Sequence, residues 1–510
     1  MKKKRFHFLW YILFGLIYML ASSMIILCVW YCRTFNVGFR ELLYTLRGPL
    51  KGTGNSVIEL IISNCLPPIL WCLAGCILVC FLLSECRLNQ RLWTLGGRLR
   101  FPARLLKWLR RLGALGCVAL LFMAVGYANL RFDIVGYLAS LKNVTDIYER
   151  EYVDPSEVTI TAPEKKRNLI YIVAESLETT YMSAGEGGVQ AQNLMPRLTE
   201  LARSNLYFSG TKTFSGLRTV SGTSWTIASL LSQTSGIRFA FPVDGNAMET
   251  QMHFAPRLIT LGDILQDNGY AQEFVCGSDA SFGGRRKYFT QHGAYEIFDL
   301  FTAREQGYIP PDYYVWWGFE DMYLFDIARD EATRLAEQEQ PFNLTLLTVD
   351  LHHFEGYICP VCGGDYGYST ADVVNCTDWL IADFVAWCQE QPFWENTTLI
   401  IAGDHPRMDS SLVEDAAYDQ RTIYHCILNA PVEVQGSTEE RTFTTMDLFP
   451  TTLAAMGFQV EGDRLGLGVN LFSDLPTLAE RMGADALSDE LVKHSSYYLE
   501  HFYYNADKPK

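Results

Sequence analysis

The sequence has 510 residues and a formal net charge of −15, from 42 Lys and Arg against 57 Asp and Glu. This length exceeds that of one simple domain and allows a large buried core. The acidic balance argues against a nucleic acid as partner, because phosphate groups are repelled by an acidic surface. Apolar residues are concentrated before residue 132, and the remainder has the composition of a soluble α/β protein.

Three long apolar segments, residues 8–30, 60–84 and 112–130, contain no charged residue. Each approaches the roughly 20 residues that a helix needs to cross the hydrocarbon core of a bilayer. The first segment is longer than the apolar region of a cleaved signal peptide, which favours an uncleaved anchor. We therefore predict a membrane domain over residues 1–132 with three transmembrane helices.

Basic residues predict the orientation of these helices. Lys2, Lys3, Lys4 and Arg5 precede the first segment, and eight Arg and Lys residues lie between residues 87 and 111. Only four basic residues lie between the first two segments. The positive-inside rule then places the N-terminus and the 86–111 loop in the cytoplasm. We expect residues 133–165 to be a juxtamembrane linker and residues 166–510 to be an exoplasmic catalytic domain.

The six cysteines after the apolar segments are an even set, which favours disulfides in an exoplasmic domain. Cys359 and Cys362 form a C-x-x-C motif, and no second pair at zinc-ribbon spacing accompanies it. The pattern favours a disulfide that staples this loop, with Cys376 as the expected partner, over a zinc knuckle or a redox site.

Strand and helix patterns alternate after residue 166. Strands are predicted at residues 169–174, 271–275, 342–349, 398–402 and 422–428. Helices are predicted at residues 195–204, 224–231, 259–268, 322–339, 370–389 and 445–456. This alternation predicts an α/β fold with a mostly parallel sheet flanked by helices on both faces. Ligands of such sheets bind beyond the carboxyl ends of the strands.

Two of these strand ends carry charged residues. Glu175 follows the first predicted strand, and Asp404 and His405 follow the strand at 398–402. Alone, each feature is typical of a solvated residue, an N-cap or a turn. Together they predict a metal site. Two carboxylates and one imidazole favour Mn²⁺ or Mg²⁺, and Zn²⁺ is also compatible with them.

The stretch TVSGTSWT, residues 219–226, places five hydroxyl groups before a predicted helix. Most such clusters cap the helix by accepting hydrogen bonds from its first N–H groups. The alternative is a nucleophile, for which Thr223 is the candidate. Gly222 allows a tight turn before it, a metal would lower its pKa, and the helix N-terminus would attract a phosphate.

Two further features fit a phosphate-binding site. His352 and His353 follow the strand at 342–349, where an imidazole could hold a phosphate oxygen or protonate a leaving group. The segment FGGRRK, residues 282–287, places three cations on a glycine loop. It is either a solvated surface loop or a phosphate clamp, a role for which arginine is suited.

The motifs LIYIVAES, SGTSWT, TVDLHH and LIIAGDHPRM follow the apolar segments in this order. This order resembles the lipoteichoic acid synthase and phosphoglycerol transferase I group of the alkaline phosphatase/sulfatase-like superfamily. The resemblance covers about residues 168–473 and includes the segments TTMDLFPTTLAAMGF and RLGLGVNLF. The segment TVDLHHFEGYICP is most similar to the phosphoglycerol transferase I branch.

The resemblance implies one divalent metal, with Mn²⁺ preferred, bound by Glu175, Thr223, Asp404 and His405. It also implies that Thr223 is the nucleophile and that Arg285 and His352 hold the phosphate or glycerol of the substrate. His352 is chosen over its neighbour because the pattern of the group is His-x-Pro, and here Phe354 occupies the proline position.

The function implied is transfer of glycerophosphate from phosphatidylglycerol to an extracytoplasmic glycan or polyglycerolphosphate acceptor at the bacterial inner membrane. One alternative is a phosphoethanolamine transferase, although such relatives usually carry more membrane spans. A sulfatase activity is not expected, because residues 223–227 lack the C/S-x-P-x-R context of its nucleophile. A non-catalytic membrane-anchored binding domain is a further alternative, and it predicts that at least one ligand residue is missing.

Overall fold

The computed structural model describes residues 2–34, 56–83, 103–132, 134–140, 142–241, 245–367, 369–409, 411–414 and 416–504. The described residues up to residue 139 belong to one compact unit, and those from residue 140 onward belong to a second. Most of the basic loop predicted at residues 86–111 lies outside the described residues.

Three long helices form the first unit: α1 (Lys2–Thr34), α2 (Ser56–Leu83) and α3 (Ala103–Phe132). A short helix, α4 (Ile134–Ser140), follows them. Each long helix contains a segment that is long and apolar enough to cross a membrane, namely Trp10–Thr34, Ile61–Phe81 and Lys107–Phe132. The three apolar N-terminal helices expected from the sequence are thus present. Helix α1 packs along both of the others, which touch each other only slightly.

The second unit is an α/β domain. Its strands are β1 (Ile160–Thr161), β2 (Asn168–Ala174), β3 (Ala271–Cys276), β4 (Glu296–Phe298), β5 (Phe342–Leu347), β6 (Thr397–Gly403), β7 (His425–Leu428), β8 (Gln459–Val460), β9 (Arg464–Leu465) and β10 (Gly468–Val469). Its helices are α5 (Ile147–Glu151), α6 (Pro196–Ser204), α7 (Thr226–Ser235), α8 (Leu261–Asp267), α9 (Arg285–Gln291), α10 (Leu300–Glu305), α11 (Asp321–Ala336), α12 (Thr370–Gln389), α13 (Leu448–Ala455), α14 (Leu478–Met482), α15 (Ala484–Val492) and α16 (Ser496–Leu499).

Within the described residues, the central sheet has six strands in the order β4-β3-β5-β2-β6-β7. Neighbouring strands are parallel except β6 and β7, which are antiparallel. The predicted mostly parallel sheet flanked by helices is therefore confirmed. Strand β4 was not predicted, because three residues are too few to show a hydrophobic period.

Both faces of the sheet are buried. Along β2, Ile170 and Ile172 belong to the core on one face, while Leu169 and Tyr171 belong to a core on the other face. Successive side chains of a strand point to opposite faces, so a strand with two covered faces must be apolar at nearly every position. This is why the sequence shows the continuous run LIYIVA there.

The segment before β2 packs against the α/β unit. The side chains of Ile147 and Tyr148 in α5 are buried in it. Further along, Val153 pairs with Gly466, and β1 pairs with β8. In the described structure, the second half of the stretch that we predicted as a linker thus contributes to the core of this unit.

Candidate functional site

The register of two central strands brings the first site residues together. Strands β2 and β6 are parallel neighbours, and their last residues, Ala174 and Gly403, are paired. The residues that follow, Glu175 and Asp404, therefore leave the sheet side by side at its carboxyl edge. The N–H of Asp404 donates to the carbonyl oxygen of Ala174 (3.1 Å), which fixes their spacing.

Glu175, Asp404 and His405 form a buried cluster, with one ligand atom from each residue within 4.8 Å of the others. The N–H groups of Ser176 and His405 both donate to Asp404 Oδ1, at 2.8 and 2.7 Å. The other oxygen, Oδ2, is buried and has no hydrogen-bond donor in the described structure. Asp404 is therefore held rigidly and presents one oxygen to the centre of the cluster.

The imidazole of His405 presents a lone pair to the same point. Its Nδ1 lies 2.9 Å from the carbonyl oxygen of Pro406, which can only accept, so Nδ1 carries the proton. In the neutral ring Nε2 is then an acceptor, and it lies 3.5 Å from Glu175 Oε1 and 3.3 Å from Asp404 Oδ2. Glu175 Oε1 also accepts from Ser176 Oγ (2.7 Å). Two carboxylate oxygens and an imidazole lone pair that lie this close together fit a cation.

The pKa values of the cluster reflect burial and mutual charge. Burial and then the neighbouring Glu175 raise the pKa of Asp404 to about 7. Burial also acts to raise the pKa of Glu175, but His352 and His405 outweigh it and leave that pKa below its usual value. Burial acts to lower the pKa of His405, and the two carboxylates outweigh it and raise that pKa. A cation would favour the deprotonated form of all three groups.

Thr226, and not Thr223, places its hydroxyl against this cluster, which differs from our expectation; the hydroxyl of the adjacent Ser176 also donates to Glu175 Oε1, at 2.7 Å. Thr226 Oγ1 donates to Glu175 Oε2 at 3.3 Å. The hydroxyl of Thr223 instead donates to the carbonyl oxygen of Val220 (2.9 Å) and accepts from the N–H of Val220 (3.1 Å). Through these two bonds the side chain of Thr223 closes a buried turn, and in the described structure it makes no hydrogen bond to Glu175, Asp404 or His405.

The local backbone explains why Thr226, and not Thr223, contacts Glu175. Gly222 has φ +86°, and a Cβ at this position would lie 2.7 Å from the carbonyl oxygen of Phe239. The chain turns sharply here, runs extended through Trp225, and enters α7 at Thr226. Thr226 is thus the first helical residue, where unpaired N–H groups favour an anionic oxygen or phosphate. Hydroxyl spacing in the sequence could not show where this turn ends.

The two predicted substrate-binding residues lie on other strand ends of the same sheet. His352 follows β5, its Nδ1 lies 2.9 Å from the carbonyl oxygen of His353, and its ring packs on Trp317 at 4.3 Å. Burial lowers the pKa of His352, and the charges of His405 and Arg285 lower it further. Because the carbonyl oxygen of His353 can only accept, Nδ1 of His352 carries a proton, and in the neutral ring Nε2 is an acceptor.

Arg285, the first residue of α9, is buried and oriented by backbone and side-chain oxygens. Its Nε donates to Phe282 (3.0 Å), and its Nη2 donates to Ser278 Oγ (2.9 Å) and to the carbonyl oxygen of Asp279 (2.8 Å). In the part of the chain that the structure describes, its Nη1 makes no hydrogen bond. Arg285 thus has a fixed guanidinium with one edge available for an anion.

Charged residues that the sequence analysis did not single out support the loop after β6. Arg407 is fully buried, pairs with Asp409 and donates to the carbonyl oxygen of Leu351 (3.1 Å). Arg421 pairs with Glu178, which also accepts from the N–H of Arg407 (2.9 Å). The sequence Pro-Arg-Met after His405 contains Arg407, but it does not indicate that this side chain is buried, because an arginine in a loop is usually solvated.

The three cysteines expected to form a disulfide lie together as thiols. Cys359 Sγ is 3.3 Å from Cys362 Sγ and 3.9 Å from Cys376 Sγ. Hydrogen bonds from these two thiols lower the pKa of Cys359 to about 3. The cluster is also compact enough to hold a metal ion. The disulfide stays a prediction, and the proximity of all three thiols leaves its pairing open.

Comparison with known proteins identifies the family to which the chain belongs. A family model described as Sulfatase matches residues 167–458, more than half of the chain. The chain belongs to the sulfatase family. The matched range contains every proposed ligand and substrate-binding residue named above, and it confirms the superfamily resemblance found in the sequence.

Two similar curated proteins are both described as phosphoglycerol transferase I. The chain is 31% identical over 307 residues to phosphoglycerol transferase I of Xanthomonas euvesicatoria, covering 58% of this chain and 42% of that protein. It is 32% identical over 332 residues to phosphoglycerol transferase I of Salmonella choleraesuis, covering 63% of this chain and 41% of that protein. The matches thus span less than half of the length of these relatives.

Among solved structures, the chain is similar to the lipooligosaccharide phosphoethanolamine transferase A of Neisseria meningitidis. The match covers 88% of this chain and 84% of that protein at 14% identity, with a TM-score of 0.48.

Proposed function

We propose that the protein is a metal-dependent phosphoglycerol transferase that moves glycerophosphate from phosphatidylglycerol to an extracytoplasmic glycan or polyglycerolphosphate acceptor. The observation that carries the proposal is the convergence of Glu175, Asp404 and His405 with the hydroxyl of Thr226 at the N-terminus of α7. The identity to curated phosphoglycerol transferases over the catalytic range supports the choice of headgroup.

The residues fit a divalent metal, since Asp404 Oδ2 and His405 Nε2 are directed at one point without a donor. We propose that Glu175, Asp404, His405 and the oxygen of Thr226 hold it, in place of the set that included Thr223. When bound, the metal would supply positive charge that favours the alkoxide of threonine and neutralises phosphate oxygens. The mainly oxygen donor set favours Mn²⁺ or Mg²⁺ over Zn²⁺.

Thr226 attacks the phosphorus of the donor lipid in this mechanism. A bond forms between its Oγ1 and phosphorus, the bond from phosphorus to diacylglycerol breaks, and the threonine proton ends on the diacylglycerol oxygen. The N-terminus of α7 and the Nη1 edge of Arg285 stabilise the charge on the phosphate oxygens. An acceptor hydroxyl then displaces Thr226 and regenerates it.

His352 has a positioning role in this proposal. Because its Nδ1 proton is donated to His353, its neutral Nε2 is an acceptor suited to a hydroxyl of the glycerol headgroup. A phosphoethanolamine headgroup would offer an ammonium group instead. The site of His352 is therefore where discrimination between the two donor lipids is expected.

The donor is tested with full-length protein, Mn²⁺ and phosphatidylglycerol labelled in the headgroup. Released diacylglycerol and label on protein or on an added glucan are measured. Phosphatidylethanolamine with the same acyl chains is the matched donor control. Diacylglycerol release from phosphatidylglycerol alone is the expected result, and release from phosphatidylethanolamine alone would reassign the enzyme to the alternative class.

A further inference from the structure

A cavity of about 490 Å³ lies among the three helices of the first unit. It exists because α2 and α3 both pack on α1 and hardly touch each other. Its wall is largely apolar and aromatic, with Trp10, Phe14 and Tyr18 on α1 and Val79 on α2. Gly75 on α2 also lines it, and a Cβ at this position would meet no atom within 4 Å. The volume is that of a small-molecule site.

One end of this cavity is basic. Lys107, Arg110 and Arg111, all in the first turns of α3, line it together with the aromatic residues. Arg110 lies over the ring of Tyr11, at 5.9 Å from its centroid. Among the described residues, those that line the cavity include no aspartate or glutamate. An apolar chamber closed by three cations matches a molecule with an apolar tail and an anionic head.

The position of the cations fits the same conclusion. Lys107 begins a segment apolar enough to span a membrane, and Arg110 and Arg111 follow it in the first turns of α3. Basic side chains at such a helix end extend to the membrane interface, where the headgroups of anionic lipids lie.

We propose that this cavity is a binding site for one anionic phospholipid of the bilayer. One acyl chain lies between α2 and α3, and the phosphate contacts Lys107, Arg110 and Arg111. None of the lining residues belongs to residues 167–458, which the family model covers. The proposal therefore rests on the membrane helices alone and not on the transfer reaction.

Native mass spectrometry of the full chain tests the proposal through lipid retention, not activity. The purified protein is titrated with phosphatidylserine and with phosphatidylcholine of the same acyl chains. Phosphatidylserine is anionic but lacks the headgroup of the proposed donor, so the catalytic site does not dominate the signal. We expect one retained phosphatidylserine, bound with at least about tenfold preference over phosphatidylcholine, since each cation favours an anionic headgroup about fivefold.

Charge variants provide the first comparison. Lys107→Gln, Arg110→Gln and Arg111→Gln combined should weaken phosphatidylserine retention by about 100-fold, again at about fivefold per charge. The matched control is Arg33→Gln with Arg131→Gln, which removes cations from the opposite helix ends and should leave retention unchanged.

A cavity-filling variant keeps the test independent of charge. Gly75→Leu should abolish retention, while Gly126→Leu, a glycine on α3 with equal space but outside the cavity, should not. Size-exclusion chromatography confirms that each variant is folded. Equal retention of the two lipids, unchanged retention in the charge variant, or a lipid-free dimer with a second copy in the cavity would each overturn the proposal.

Discussion

Thr223 and Thr226 are three residues apart, and only one of the two hydroxyls reaches Glu175. A threonine becomes a nucleophile when its oxygen is near a cation and a helix N-terminus, and in this structure the proposed metal ligand Glu175 and the N-terminus of α7 meet at Thr226. The hydroxyl of Thr223 already makes two hydrogen bonds with the backbone of Val220: it donates to the carbonyl oxygen and accepts from the N–H group.

Thr226→Ala should therefore abolish the covalent intermediate and lower the transfer rate by at least about 1,000-fold. Thr223→Ala should keep transfer and cost about 1 kcal/mol of stability through the lost turn hydrogen bonds. Intact-mass and peptide analysis after incubation with phosphatidylglycerol locates the adduct. A glycerophosphate on Thr223 would restore the assignment made from the sequence.

The proposed metal site depends on the lone pair of His405. His405→Ala should reduce bound Mn²⁺ by more than about tenfold, because one ligand of the proposed site is lost. His353→Ala is the matched control, since His353 is adjacent to the site but is not among the clustered ligand residues. Elemental analysis of the purified protein measures its manganese content. Full occupancy in His405→Ala would exclude the site as described.

The buried His425, which lies outside the site, is expected to make the stability of the fold depend on pH. Burial lowers the pKa of this imidazole to about 3, and its Nε2 accepts from the N–H of Phe208 (3.1 Å). The folded state thus binds a proton less readily than the unfolded state, whose pKa is near 6.5. This contribution to stability is complete above pH 6.5 and is lost as the pH falls, at roughly 1.4 kcal/mol per unit.

His425→Gln keeps an acceptor but does not titrate, so its free energy of unfolding should fall less steeply than that of the wild type between pH 6.5 and 4. Urea unfolding at several pH values measures the two slopes. Parallel slopes would show that His425 is protonated in the folded state.

At the scale of elements, the turn before α7 positions the nucleophile. Gly222 needs a left-handed φ and also approaches the carbonyl oxygen of Phe239 too closely for a side chain. Gly269 has a similar φ of +79°, but a Cβ there would meet nothing within 4 Å. Alanine substitutions at Gly222 and Gly269 therefore distinguish the cost of backbone strain from the cost of steric contact.

Gly269→Ala should cost about 1 kcal/mol from φ alone. Gly222→Ala should exceed it by at least about 1 kcal/mol and should also lower kcat, because the backbone leading to Thr226 must shift. Thermal unfolding and transfer kinetics provide the two readouts. Equal losses of stability with unchanged kcat would remove the turn from the positioning of Thr226.

At the scale of the whole molecule, the basic clusters predict which side of the membrane each unit occupies. The N-terminal Lys and Arg residues and those between residues 87 and 111 favour the cytoplasm. After three spans, the α/β unit would then face the compartment that contains the acceptor.

A reporter active only outside the cytoplasm should be inactive when fused after residue 95 and active when fused after residue 160. A cytoplasmic reporter fused at the same positions should give the opposite pattern. Activity of the exoplasmic reporter at residue 95 would reverse the predicted orientation.

Much of the fold and part of the site follow from the sequence. The apolar run LIYIVA predicts β2, because a strand covered on both faces is apolar at nearly every position. Apolar and β-branched residues also predict β5 and β6, which carry a few buried polar side chains. Glu175, Asp404 and His405 were predicted because charged residues directly after such strands must gather at one edge of a parallel sheet. Strand β4 and the short helices α9 and α10 were missed because they are shorter than one reliable hydrophobic period.

The sequence by itself determined the local properties: apolar periodicity, strand ends and the order of the motifs. The tertiary structure alone decided that Thr226 and not Thr223 contacts Glu175, because that depends on how the turn at Gly222 closes against Phe239, which lies beyond α7. It also decided that Asp404 keeps one oxygen without a donor and that Arg407 is buried beneath the loop. Such features depend on contacts between segments far apart in the chain, and local residue patterns do not contain them.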